Sequence, residues 1–196
     1  MTRTHVLALI AALTVPAFFA QASPPETVRH VDLRQYLGGW YEIARMPNSF
    51  QDNQPRGLSE CFNTRAEYGE LKAGKISVTN TCLRLDASGR EQTEIARAVG
   101  RVVDTETNAK LKVNFTGNPI LRWLGIGDGD YWILALGPLG PDGYEWALVG
   151  GPDRKFGWIL ARQTELPEST LRLVKQAIVD KGYVWDSFRF ARRLAK

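Results

Sequence analysis

The chain has 196 residues, 44% of them hydrophobic and 23% charged, and carries a net charge of +4. That balance fits a packed core and argues against disorder. The charge is mild, and no Lys/Arg cluster is interleaved with stacking aromatics, which argues against nucleic-acid binding.

Residues 1–22 read as a secretory signal, with Arg3 as the basic start, Val6 to Val15 as the apolar stretch and Ala20-Gln21-Ala22 as the small-residue cleavage site. The apolar stretch is interrupted by Thr14 and Pro16 and is shorter than the about 20 residues that cross a bilayer. Cleavage after Ala22 removes one positive charge, Arg3, so that +4 becomes +3. No cysteine lies near the cleavage site, so the expectation is an exported protein, soluble in a periplasm or secreted, without an N-terminal lipoprotein cysteine. The remaining 23–196 fit one domain.

Pro24 to Arg34 is a polar lead-in with a short helical turn. Trp40 to Arg162 reads as strands and turns. Lys110-Leu111-Lys112-Val113-Asn114-Phe115 alternates apolar and polar residues, as does Ile76-Ser77-Val78-Thr79-Asn80. Tyr131 to Leu136 is continuously apolar, as a strand covered on both faces is. Turn residues cluster at Gly69 to Gly74, Ala87 to Gly89, Asp104 to Ala109, Gly125 to Gly129, Gly137 to Gly143 and Gly150 to Asp153. The strands bounded by them fall at about 40–47, 58–68, 75–85, 92–103, 110–116, 130–136, 145–149 and 156–162. Eight strands in hairpin succession predict an all-β fold, an antiparallel up-and-down β-barrel. The period then changes. Pro167-Glu168-Ser169-Thr170 opens a helix over about 168–181 with an apolar stripe of Leu171, Val174, Ala177 and Ile178, ended by Gly182. The stripe predicts a helix packed outside the barrel, and Tyr183 to Phe190 a short ninth strand or an ordered tail. An outer-membrane barrel shares the length, signal and alternation, but this amphipathic helix speaks against it.

Trp40 opens the first strand and Arg162 closes the last, so the two can meet at one end of a closed barrel. There the guanidinium can lie over the indole and reach nearby carbonyls. The two cysteines, Cys61 and Cys82, flank a hairpin, and export favours a disulfide over free thiols. With Tyr68 and Ile76 on the inner face, Cys61 falls one residue out of step with Cys82; a β-bulge would reconcile them. The basic C-terminal residues Arg189 to Lys196 read as a solvated tail or as a weak attraction to anionic lipid head groups.

Three of these segments resemble the signatures of the lipocalin family. Gly38-Gly39-Trp40-Tyr41 resembles the first, G-x-W; Gly129-Asp130-Tyr131 resembles the second, T-D-Y, with Gly129 replacing the threonine; Arg162 resembles the arginine of the third. Asn63 to Ala66, Gly151-Pro152-Asp153-Arg154 and Trp158-Ile159-Leu160-Ala161-Arg162 are similar to the branch of bacterial lipocalin, apolipoprotein D and plant temperature-induced lipocalin. The resemblance implies a structural role for Gly38, Trp40, Asp130, Tyr131 and Arg162, and a small hydrophobic ligand inside the barrel. Several bacterial members are lipoproteins, a tether for which this chain shows no cysteine.

Strand parity anchored on Trp40 points Ala44, Ala66, Tyr68, Val78, Ala98, Leu111, Val113, Phe115, Tyr131, Ile133 and Trp158 inward, and matching family positions line the cavity in relatives. The small residues among them argue for space, and an acyl chain suits it. Tyr68 and Tyr131 can bond a polar head. The connection Asn118 to Ile126 is unusually apolar, as a lid or membrane-touching lip near the mouth is, or a segment packed on the barrel wall or in a dimer contact. Chemistry finds little support. The mature chain keeps only His30, in the lead-in, so no Ser/His/Asp or Cys/His set assembles around a pocket. Metal-ligand spacing and a phosphate loop are absent as well. Glu42 on the first strand can face inward near Trp40 but reads as a satisfied structural carboxylate. The leading expectation is a non-catalytic carrier of a fatty acid, lysophospholipid or similar lipid for transport, storage or envelope maintenance, without cofactor or metal. A lipocalin-fold enzyme and a tetrapyrrole or pigment binder are the alternatives.

Overall fold

One antiparallel sheet closes on itself and is capped outside by a helix. The computed structural model describes residues 23–52, 57–71, 74–117, 125 and 127–193. The signal segment, most of the apolar connection 118–126 and the last three residues lie outside the described residues. The strands, in chain order, are β1 (Gly38–Arg45), β2 (Phe62–Leu71), β3 (Lys75–Leu85), β4 (Glu91–Val102), β5 (Lys110–Asn114) and β6 (Asp128–Leu136). A small hairpin of β7 (Leu139–Gly140) and β8 (Gly143–Tyr144) follows, then β9 (Trp146–Gly150) and β10 (Gly157–Ala161). Each of the eight long strands pairs with its neighbour in sequence, the β7–β8 hairpin standing apart, and β10 returns to pair with β1, which closes the barrel.

Of three register irregularities among the described strands, in β1, β2 and β6, the first two bear on the site. In β2, Phe62 pairs with Leu83 but Arg65 with Thr81, so one residue is extra, and Asn63 adopts a left-handed conformation, φ 49°. The bulge brings Cys61 onto the face of Cys82, and the two form the disulfide, with Cα atoms 5.5 Å apart. The chain before Phe62 has already left the sheet, so β2 starts later than its residue pattern indicates and runs on to Leu71. In β1, Glu42 pairs with Leu160 but Ala44 with Ile159. Beyond that irregularity the parity of the strand is inverted.

The barrel has a closed and an open end. At the closed end the lead-in crosses the base: the Val28 N–H donates to the Ile133 carbonyl and the Val31 N–H to that of Thr107. A helical turn, α1 (Leu33–Tyr36), capped by the Asp32 carboxylate, then delivers Tyr36 under Trp40, ring centroids 5.0 Å apart. Gly143 has φ +92°, and a Cβ on it would run into the Gln35 carbonyl, so only glycine lets this segment approach. A first core cluster fills the base around Val31, Tyr36, Trp40, Ala98, Leu111 and Ile133. At the open end another helical turn, α2 (Ser49–Asp52), leans over the mouth. The fully buried Arg84 holds it there by donating to the carbonyls of Phe50, Gln51 and Ser59.

The C-terminal helix, α3 (Glu168–Asp180), packs on the outer wall. Val174 and Ile178 are buried with Ile43, Leu134, Leu148 and Ile159 in a second cluster, Ala177 packs against it, and Leu171 is half-buried. The fully buried Val174 and Ile178 contribute about 1.5–3 kcal/mol each on burial. A short β11 (Arg189–Phe190) then adds to β1. The basic C-terminus is bound along the described part of its length. Arg189 pairs with Asp52 at 2.7 Å, Arg192 lies over Phe62, and Arg193 donates to the Glu42 carbonyl.

Candidate ligand cavity

A cavity of about 610 Å³ occupies the barrel between the packed base and the open end. Its middle is a belt of small and branched apolar side chains, Ala66, Val78, Ala96, Val113, Val149 and Leu160. These belong to six different strands, so the belt follows from the inward half of each strand's alternation. Seven of the expected inward residues line the space: Ala66, Tyr68, Val78, Val113, Phe115, Tyr131 and Trp158. Phe115 does so from just beyond the end of β5, half exposed.

Four expected residues are elsewhere. Ala44 is fully buried in the outer cluster beneath α3, because the β1 bulge inverts its parity. Ala98, Leu111 and Ile133 keep the inward parity but pack into the base, where Val31 and Tyr36 come down on them. The strand pattern carries no information about that plug, which comes from a polar-looking segment.

Two sets of hydrogen-bonded polar groups stand at the ends of the cavity, and Asn80 lines the belt between them. Deep in the barrel, the hydroxyls of Tyr36, Tyr131 and Tyr68 form a chain, with 2.7 Å from Tyr36 to Tyr131 and 2.9 Å from Tyr131 to Tyr68. Burial pushes the Tyr68 phenol up to about 12 and those of Tyr36 and Tyr131 well above the ordinary value.

Near the mouth lies a collar that residue-pattern reasoning missed in large part. Glu42 faces inward on the parity of Trp40, and the β1 bulge beyond it turns Arg45 inward as well, where the two pair at 2.8 Å, both nearly without exposure. The Gln51 side-chain amide donates to the other Glu42 oxygen at 2.6 Å, and its own oxygen accepts from Trp158 Nε1 at 3.0 Å and from Asn48 at 2.9 Å. Arg45 also donates to Asp52, which in turn receives Arg189. Burial raises the Glu42 carboxyl above its usual range, and the Arg45 charge and the Gln51 hydrogen bond offset part of that rise. Thr64, beside Glu42 on the cavity wall, has a buried hydroxyl without a hydrogen-bond partner among the described residues. Gln51 and Phe50 come from α2 and Phe156 from the β9–β10 connection, and neither segment has strand periodicity. The rings of Phe50, Phe156 and Trp158 stand about 6 Å apart, with Phe156 and Trp158 stacked at 6.0 Å.

Asp130 and Tyr131, expected from the second signature, sit side by side near the start of β6: Asp130 pairs with Lys112 at 2.8 Å across the β5–β6 ladder, and both residues border the cavity. Glu94 lies within ligand distance of the Cys61 and Cys82 sulfurs, but both sulfurs are joined to each other and offer no thiolate. His30 is exposed, with Nδ1 3.4 Å from the Glu106 carbonyl in the β4–β5 connection at the closed end.

The signature pair closes the opposite end. The Arg162 guanidinium lies 3.9 Å from the centroid of Trp40 and donates to the carbonyls of Gln35, Leu37, Gly39 and Tyr144. A Lipocalin-like domain model matches residues 31–193. Temperature-induced lipocalin-1 of Arabidopsis thaliana is 32% identical over 158 residues, 81% of this chain and 77% of that protein. Outer membrane lipoprotein Blc of Citrobacter freundii is 35% identical over 188 residues, 91% of this chain and 92% of that one. Apolipoprotein D of Mus musculus is 29% identical over 82% of this chain and 75% of its own. Among solved structures, lobster apocrustacyanin A1 superposes with a TM-score of 0.55 at 14% identity, over 93% of this chain and 94% of that one, a likeness of fold. With the sheet closed by β1 and β10, the base sealed by Arg162 on Trp40 and the match running from Val31 to Arg193, the chain belongs to the lipocalin family.

Proposed function

We propose that the protein takes a single-chain lipid, a fatty acid, lysophospholipid or similar amphiphile, into the barrel and carries or stores it in the cell envelope. The observation that carries this reading is the cavity itself: about 610 Å³, walled by an apolar belt, sealed below and opening among aromatic rings. An acyl chain in that belt gains roughly 0.8 kcal/mol for each buried methylene. Ala66, Tyr68, Val78, Val113, Phe115, Tyr131 and Trp158 are its contacts, and Ala44, Ala98, Leu111 and Ile133 support the wall and base without touching it.

The reading places the protein outside the cytoplasm, where the signal-like segment leads and where the disulfide is stable. Among the described residues no helix is long and apolar enough to cross a membrane. Phe50 and Phe156, 58% and 42% exposed at the mouth, are the groups that would touch a membrane surface during loading.

Native mass spectrometry of the protein purified without detergent, followed by extraction of any adduct, tests the proposal. A stoichiometric acyl-chain adduct is the expected result. A protein that emerges empty and ignores added fatty acids and lysolipids overturns it. Turnover of a bound lipid would favour an enzyme, and a coloured adduct a pigment binder.

A further inference from the structure

The tyrosine chain under the cavity does not balance its protons. Three hydroxyls supply three O–H donors, and the two contacts, Tyr36 to Tyr131 and Tyr131 to Tyr68, consume two. Whichever way the chain is polarised, one phenolic proton is left without an acceptor among the described residues, and a buried donor without an acceptor is costly. Tyr68 and Tyr131 line the cavity and Tyr36 does not, so two of the three positions for that proton face the ligand space. On the same lining as Glu42 and Gln51, the buried Thr64 hydroxyl also lacks a partner among the described residues. The cavity thus has polar groups at both ends and a mainly apolar belt between, with Asn80 standing beside Ala66 and Ala96.

We propose that the floor of the cavity is a hydrogen-bond donor site for a neutral oxygen, so that the preferred cargo carries a hydroxyl or carbonyl at the buried end of its apolar body as well as a polar head at the collar. This rests on the carrier reading and narrows its ligand class to amphiphiles oxygenated at both ends. A neutral acceptor fits better than a carboxylate. Arg162, the guanidinium near Tyr36, already spends its N–H groups on four carbonyls outside the cavity lining and donates none to an anion in the cavity. The phenols stay protonated donors at physiological pH, since burial holds Tyr68 at about 12 and raises the other two.

The test compares hexadecanoic acid with 16-hydroxyhexadecanoic acid by calorimetric titration of the wild type, of Tyr68→Phe and of Tyr68→Phe/Tyr131→Phe. The ratio of the two dissociation constants should shift against the hydroxy acid by about tenfold in the double variant. The single variant should keep most of the preference, because Tyr36 and Tyr131 still leave one spare proton. The far-ultraviolet circular dichroism spectrum and the urea midpoint of the double variant serve as the control for folding. An unchanged ratio overturns the inference and leaves the carrier reading standing. Failure of the wild type to bind either acid overturns both. A second measurement needs no variant: nuclear Overhauser contacts from the ligand C16 protons should reach the Tyr68 and Tyr131 rings. Contacts to Phe50 and Phe156 instead would place the hydroxyl at the mouth and overturn the inference.

Discussion

Arg162 and Trp40, 122 positions apart in the chain, form the seal of the barrel: the guanidinium covers the indole at 3.9 Å and its N–H groups gather carbonyls from α1, β1 and the segment before β9. Replacing Arg162 with alanine exposes the ring face and orphans these carbonyls. The expected loss is about 3 kcal/mol, read as a lower urea midpoint. Arg162→Lys should recover less than half of it, because an ammonium lacks the planar fork that reaches several acceptors.

Trp158 joins the wall of the cavity to the collar, lining the space with its ring while Nε1 donates to Gln51. Trp158→Ala should weaken binding of an acyl ligand by about tenfold, through lost contact area and a loosened Gln51. Intrinsic fluorescence and calorimetry would measure it. Unchanged affinity in a folded variant would take Trp158 out of the site.

The disulfide closes a loop with a sequence separation of 21 and pins the bulged start of β2 to β3 near the mouth. Removing both sulfurs, Cys61→Ser with Cys82→Ser, should cost about 3 kcal/mol by the loop-entropy argument. Denaturant unfolding of the oxidised protein and of the double variant gives the difference directly.

Asp86 organises the turn between β3 and β4. Its carboxylate accepts from the Ser88 hydroxyl, the backbone N–H groups of Arg90 and Ser88, and the Gln92 amide, and these hold it down to about 2 from an ordinary 3.8. A depressed carboxylate stabilises the fold above its unfolded value, and the contribution disappears as pH falls from about 3.8 through about 2. Carbon-detected NMR should therefore find the Asp86 midpoint near the lower value. Asp86→Asn should reduce the acid dependence of stability in that window and leave the neutral-pH ligand affinity unchanged.

Much of the architecture is legible in the residues themselves. Alternation and turn chemistry locate β3 at its observed limits and α3 within one residue, because both elements have a clear period and well-marked ends. The Trp40 and Arg162 pairing is legible because each residue marks a strand end. The register conflict between Cys61 and Cys82 even points to the bulge at Asn63. Ala44 is illegible for the converse reason. Nothing in Glu42-Ile43-Ala44 marks a bulge, and a slip of one residue exchanges the two faces. Ala98, Leu111 and Ile133 lie on the inner face as their parity requires, but the lead-in decides whether that face is cavity or base, and its contacts are long-range. The collar is least legible of all: Phe50, Gln51 and Phe156 stand in connections, and the buried Arg84 that positions two of them looks in sequence like any solvent-facing arginine of a strand.

The plugged base has a consequence for the order of events during biosynthesis. The carbonyls of Gln35, Leu37 and Gly39 wait for Arg162, up to 127 residues downstream, and β1 waits for β10. A growing chain that has produced only its first six strands lacks β9, β10 and the Arg162 seal, so its sheet is open and edge-exposed, and closure by such distant contacts is slow. The space for cargo therefore comes into existence last, after nearly the whole polypeptide has emerged. Whatever occupies it must be acquired where folding finishes rather than where synthesis begins.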